Sequence, residues 1–339
     1  MNRMRCLLIA LLCSLLPSVS TYAGEAGKTP AGWHSGVGAS ALADPAEAGA
    51  AAAEEAKAGL GDVPAQFVMV VAAGPQLTAE LVEGVKKHFP AGVIYGGQVT
   101  SPLTAHGNYP DAPALDIEAG VAVWALGGDV EVEVAHIATD SESDDAYYEA
   151  GVGLAEALRG AIEASDRPGK LVFTWGDQYN GPNKDFASGL NDGFGDVWPI
   201  VGAASGNNAA KEIIQGEIVS GVNAGVLIAG NFSLGLAMNG GTHTPETAEK
   251  TLAEAIAQGE GAEPFFALVF NCRRRRQGMM ERGQLTEELA TIKNNLPGVD
   301  FFGFYGPGEI GSTKFGEASV GNGFTVVAAV FFEALPPEE

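Results

Sequence analysis

Apolar positions along the chain gather into short runs rich in β-branched and aromatic residues. Three of them, QFVMVVAAG (66–74), KLVFTWG (170–176) and PFFALVFNC (264–272), share one surrounding pattern. Each is bounded by polar or glycine residues and is too short for a buried helix, so each reads as an interior strand. Helix-period stretches come after the first and third, as TAELVEGVKKHF (78–89) and TEELATIKNNL (286–296). A second strand then runs into a loop of small residues: GVIYGGQVTS (92–101), WPIVGAASGNN (198–208) and DFFGFYGPGEIGS (300–312). An apolar strand closes each unit: GVAVWALG (120–127), AGVLIAG (224–230) and GFTVVAAVFF (323–332). A recurring segment of this kind signals a repeated architecture.

Helices lie between the strands. Asp44 caps a stretch with Pro45 at its first turn and a run of alanines to Leu60,. The segments 144–164 and 244–259 have the same amphipathic character and stop at charged or glycine residues,. Strands alternating with helices, and strand pairs closing through glycine turns, predict an α/β fold. We expect mixed sheets flanked by helices, built from about three strand-helix-strand-strand units in one compact body.

The third small-residue loop contains a G-x-G-x-x-G, from Gly306 to Gly311. A dinucleotide-binding fingerprint must open a helix whose amides face the phosphates. Here glycines 316, 321 and 323 interrupt the stretch beyond Gly311, and Pro307 lacks one of the amides a phosphate needs,. The other two units place Gly96-Gly97 and the segment 202–206 at the same point, so the glycines read as a recurrent turn,.

Composition adds two constraints. Arg3 and Arg5 precede a ten-residue apolar core, 7–16, with Pro17 and a small residue at Ala23 behind it. This is the pattern of a secretory signal peptide, 1–23, which predicts an exported, periplasmic or secreted protein with no transmembrane segment in the mature chain. The formal charge is −23, which repels nucleic acid and anionic lipid. Beyond Cys6 and Cys13 the chain holds one cysteine, Cys272, so no internal disulfide is expected,.

These segments resemble the FIST domain family. The stretch 36–56 is similar to the family's opening G-x-S strand and Ala-rich helix, and FVMVVAAG with GVIYGG after it to its first strand and glycine turn. FFALVFNCRRRRQGM and FFGFYGPGEIGS resemble the C-terminal module. The resemblance implies a FIST N-like region over 24–260 and a FIST C-like region over 261–339. It also implies a sensory role: a small-molecule input module, with amino-acid-like ligands, a signalling partner, and haem in some members. Where relatives tend to carry a His-Gly pair, this chain has 238–241 as Met-Asn-Gly-Gly, a departure that weakens any ligand role implied for that histidine, haem ligation included. The reading is therefore an exported, stand-alone ligand-binding protein for a small polar metabolite, with no cofactor. A hydrolase-like enzyme using the same loops and a haem or nitric-oxide sensor are the alternatives.

Candidate ligand-binding residues come from the loops. They are Gly97 and Ser101 in the first, Ser205 and Asn207 in the second, and Tyr305, Glu309 and Ser312 in the third. Arg273 leads a run of four arginines that a strand would send alternately to its two faces,. Such a run either holds an anion or pairs with the protein's own acids. Arg273 and Glu309 together could take the two ends of an amino acid, with Tyr305 at the mouth. Cys272 reads as a buried structural cysteine. His34, His88, His106, His136 and His243 show no metal-ligand spacing,.

Overall fold

A computed structural model of the protein describes residues 32–105, 120–139, 144–177, 182–206, 210–241 and 243–334. Residues 1–23, expected as a signal peptide, and His106 and Asn207 lie outside these residues. The chain is α/β, and it repeats one plan three times.

The first unit comprises β1 (Trp33–Ser40), α1 (Pro45–Leu60), β2 (Ala65–Ala73), α2 (Ala79–Lys86), β3 (Ile94–Val99), β4 (Ser101–Thr104) and β5 (Val121–Gly128). The second has β6 (Val130–Ala138), α3 (Asp144–Ala164), β7 (Gly169–Gly176), α4 (Pro182–Phe194) and β8 (Ile200–Ala204). It continues with β9 (Lys211–Ile214), β10 (Glu217–Ser220) and β11 (Val222–Gly230). The third has β12 (Phe232–Gly240), α5 (Glu246–Ala257), β13 (Pro264–Cys272), α6 (Arg273–Glu281), α7 (Leu285–Asn295) and β14 (Asp300–Gly306). It ends with β15 (Glu309–Gly311), β16 (Val320–Asn322) and β17 (Thr325–Glu333).

Each unit contributes four strands to its own sheet, in the orders β1-β5-β2-β3, β6-β11-β7-β8 and β12-β17-β13-β14. The inner pair of each, β2 with β3, β7 with β8 and β13 with β14, is parallel. The closing strand of each unit is antiparallel to both neighbours. The segment after each second strand leaves home. β4 joins the third sheet beside β14, β9 and β10 extend the first beyond β3, and β15 and β16 extend the second beyond β8. Each unit therefore lends strands to another, and the lending closes into a ring.

The inner faces of the three sheets share one aromatic core. Trp124 stacks on Phe266 at 5.0 Å between centroids, Phe173 on Phe270 at 5.1 Å, and Tyr95 meets Trp175 edge-on at 6.4 Å. Each pair bridges two different units, and each adds roughly 0.5–1.5 kcal/mol beyond the burial of its area. The helices cover the outer faces: α1 and α2 on the first sheet, α3 and α4 on the second, α5 and α7 on the third. Asp44 caps α1, accepting from the amide of Glu47 at 2.9 Å,.

One glycine recurs in each parallel pair. A Cβ on Gly96, Gly202 or Gly303 would lie 1.8, 2.1 or 1.7 Å from the carbonyl oxygen of Val70, Thr174 or Val269. Those three residues face the glycines in register across the parallel pair. The three sites are structural equivalents, and they fix the alignment of the three units residue by residue.

Candidate functional site

The second strands of the three units end against one another. A Cβ built on Gly97, after the glycine of β3, would lie 3.0 Å from Ser205 Oγ at the end of β8. One built on Gly306, at the end of β14, would lie 2.4 Å from the Ala204 carbonyl oxygen. Thr100 donates its amide to the Tyr305 carbonyl at 3.0 Å, joining the first unit to the third. This convergence brings together Gly97, Ser101, Ser205 and Glu309, all buried.

Its most unusual members are two carboxyl groups without any exposure, Glu212 on β9 and Glu309 on β15. Glu212 lies opposite Gly97 in the antiparallel ladder, and Glu309 opposite Ala203. Aligned on the three recurrent glycines, these are the same position in two units. The third equivalent is Pro102, opposite Phe304. Two corners of the convergence are thus acidic and the third is apolar.

Glu212 Oε2 accepts from Ser205 Oγ at 3.1 Å, and that hydroxyl oxygen accepts from the Gly176 amide at 3.0 Å. Glu309 Oε2 accepts from Thr325 Oγ1 at 2.7 Å and from the Thr325 amide at 3.2 Å. In both residues Oε1 is buried with no hydrogen-bond partner among the described residues. Burial lifts the Glu309 carboxyl to about 8, against the downward pull of Thr325, Cys272 and Arg275. Burial also raises Glu212 well above the usual carboxylate range, with Asp177 adding to the rise. Burial thus favours the neutral carboxylic acid in both, and holds Glu309 mainly in that form at neutral pH,. Burial first, and then the nearby Glu309, raises the Cys272 thiol as well, which disfavours its thiolate,.

Gly97 leaves room for Glu212: a Cβ there would come within 2.1 Å of Glu212 Oε2 and would displace that carboxyl. Ser101 Oγ donates to the Pro102 carbonyl at 3.2 Å, at the apolar corner. Ser312 stands apart from the convergence: its hydroxyl pairs with Ser319 at 3.1 Å, and Ser319 reaches the Ile200 carbonyl at the start of β8. Tyr305 points the other way, into the helical layer, where its hydroxyl donates to Glu288 Oε2 at 2.9 Å. It does not stand at the mouth of a polar pocket.

The arginine run is not a strand end. Arg273 to Arg276 form the opening of α6, which begins where β13 stops at Cys272. Alternation between two faces is replaced by helical spacing, and Arg275 turns inward to full burial. Its guanidinium holds Glu288 Oε1 at 2.5 Å, Asn271 Oδ1 at 3.1 Å and the Thr244 carbonyl at 3.2 Å. Arg273 begins the helix beside Gly306, which is in register with Cys272. The G-x-G-x-x-G also resolves plainly: β14 ends at its first glycine and β15 takes up its second half, so it opens no helix.

Sequence reasoning missed Glu212 because KEIIQGEI reads as an ordinary polar-flanked strand. Glu212 stands ten residues after Gly202 and Glu309 six after Gly303, so the strand register, and not the spacing in sequence, is what pairs them.

A cleft of ≈ 660 Å³ opens at the opposite ends of these strands, lined in part by Lys170, Trp198, Phe232, Gln258 and Phe315. Two of its polar side chains are already engaged. Lys170 Nζ donates to the Ser165 and Ile162 carbonyls at 2.7 and 2.9 Å, and Gln258 bonds to both polar groups of the Leu236 backbone. Among the described residues no helix is long and apolar enough to cross a membrane.

The sequence matches the FIST N domain over residues 66–248 and the FIST C domain over residues 213–312. No curated protein matches it. Among solved structures, a cyanuric acid hydrolase described as an evolutionary innovation by structural concatenation is similar at 13% identity and a TM-score of 0.44. It covers 89% of this chain and 100% of its own. A cyanuric acid hydrolase from A. caulinodans aligns at 10% identity and a TM-score of 0.45, covering 88% and 99%. A chorismatase aligns at 11% identity and 0.40, covering 80% and 94%.

Proposed function

The chain belongs to the FIST family, whose domains are sensory modules that bind small ligands, and from that premise we propose that it is an exported receptor for a small polar metabolite. The ligand sits where the three second strands converge, among Gly97, Ser101, Ser205, Glu212 and Glu309, with Arg273 at the neighbouring helix start. An amino acid is one member of that ligand class. Occupancy would be passed to a signalling partner.

One observation carries this reading. Two fully buried carboxyl groups at equivalent positions each leave one oxygen without a protein partner among the described residues. An unsatisfied buried polar group costs about 1–3 kcal/mol, and such sites persist where a ligand or a function uses them. None of the residues lining the cleft beside Trp198 has a buried polar side-chain atom without a partner among the described residues.

Catalysis is the weaker reading. The Ser205 hydroxyl donates to Glu212, but burial favours the protonated form of that carboxyl, which is the wrong form for a general base. Export rests on the charged, apolar and small-residue pattern of 1–23,.

A thermal-shift screen of the purified protein against amino acids, organic acids, amides and phosphates tests the binding reading. A ligand at 100 times its Kd raises stability by about 2.7 kcal/mol, and Ser205→Ala should abolish that rise. Stabilisation by no small molecule would remove the proposal. Recovery of an intact Met1 product from a secreting host would remove export.

A further inference from the structure

The bonding pattern of the two buried glutamates specifies what they can grip. We propose that Glu212 and Glu309 act as carboxylic acids whose Oε1 hydroxyls donate to neutral carbonyl oxygens of the ligand. This narrows the ligand class and rests on the binding reading above.

Each carboxyl has the same division of labour. Oε2 is the acceptor, filled by Ser205 in one case and by Thr325 in the other. A proton on a carboxyl belongs on the oxygen that accepts no hydrogen bond, which leaves Oε1–H as a donor without an acceptor. An ionised carboxylate there would place a charged oxygen in full burial with nothing to compensate it, a far costlier arrangement than the neutral acid. The elevation of both groups by burial agrees with this assignment.

The groups around each acid fix the polarity of the guest. Glu309 is surrounded by Thr325, the Cys272 thiol and, farther off, Arg275. Glu212 has Ser205 and the Asp177 carboxyl beside it. A ligand ammonium would demand ionised acids, and a ligand carboxylate would meet Asp177 in a chain of charge −23. Neutral amide, imide or keto oxygens suit two donors without either penalty. The third corner, Pro102 opposite Phe304, would meet an apolar edge of the ligand. A carboxylic acid kept neutral by its surroundings to donate a hydrogen bond has precedent in enzyme sites.

Three probes of one chain length separate the possibilities: succinamide, succinate and putrescine, with terminal amides, carboxylates and ammonium groups. Infrared spectra at neutral pH should show the carbonyl stretch of protonated carboxylic acids. One component should disappear in Glu212→Gln and another in Glu309→Gln, and saturating succinamide should shift both. Succinamide affinity should then fall about tenfold per pH unit above the Glu309 transition, as the acid form is depleted. Absence of the protonated band, bands unmoved by succinamide, or tighter binding of putrescine or succinate would overturn the inference. Stabilisation by putrescine alone would leave the protein a receptor with a different guest, whereas stabilisation by nothing in the wider screen strikes the binding reading itself.

Discussion

Arg275 and Glu288 form an ion pair at 2.5 Å with both side chains fully buried. Glu288 also receives the Tyr305 hydroxyl, so α6, α7 and β14 meet at one carboxylate. The sharpest charged motif of the sequence therefore holds two helices against the third sheet. Breaking such a pair from one side strands a charge and costs about 3–5 kcal/mol. Arg275→Ala should show that loss in urea melts, and the joint replacement Arg275→Met with Glu288→Leu should lose less. Equal melting midpoints for Arg275→Ala and the parent would contradict this role.

The Glu309 carboxyl gives stability a pH slope of definite sign. Its value is raised on folding from about 4.5 to about 8, so the folded state binds the extra proton between those limits. Stability from this group is complete below pH 4.5 and is lost as pH rises to 8, at about 1.4 kcal/mol per unit. Glu212 is raised in the same direction. Thermal midpoints from pH 5 to pH 9 should fall more steeply for the parent than for Glu309→Gln. Parallel profiles would show that Glu309 titrates normally.

The three recurrent glycines should fail alike. Gly96→Ala, Gly202→Ala and Gly303→Ala each drive a methyl group into a backbone carbonyl of the adjacent parallel strand, which has no rotamer to yield. Each should lose cooperative unfolding or destabilise by more than about 3 kcal/mol. Gly92→Ala, with nothing within 4 Å of the added carbon, is the control and should change stability by less than about 0.5 kcal/mol. A well-folded Gly303→Ala protein would contradict the equivalence of the three sites.

Exchange of strands between units predicts that no unit survives alone. A fragment of residues 264–339 would lack β12 and β4, both neighbours of its own strands, and would expose β15 and β16 without β8. Circular dichroism and limited proteolysis should find it unfolded. A protease-resistant fragment of one unit would show that the exchanged strands are dispensable.

The strands at 66–74, 170–176 and 264–272, the closing strands and the helix capped by Asp44 were legible because burial and capping are local in sequence. The destinations of β4, β9 and β15 were not. They are short, and whether such a segment pairs at home or in a neighbouring sheet depends on partners far along the chain. Arg273 to Arg276 misled for a different reason. Cys272 offers no side-chain cap, so nothing marks the passage from strand to helix. The face that Tyr305 occupies is not legible in sequence, because β14 is buried on both sides and its alternation carries no polar mark. Glu212 was hidden among many acids of an acidic chain, and only the register with Gly97 singles it out.

The ring of borrowed strands also sets a timetable. β4 emerges from the ribosome early, yet its partner β14 is made some two hundred residues later. The first unit in turn awaits β9 and β10 from the second to complete its sheet. Pairings this distant in sequence are slow to form, so the first sheet cannot be whole before Ser220 is made, and the second and third must wait until synthesis is almost at its end. The finished protein then closes as a joiner's frame does, with no joint secure until the last is seated.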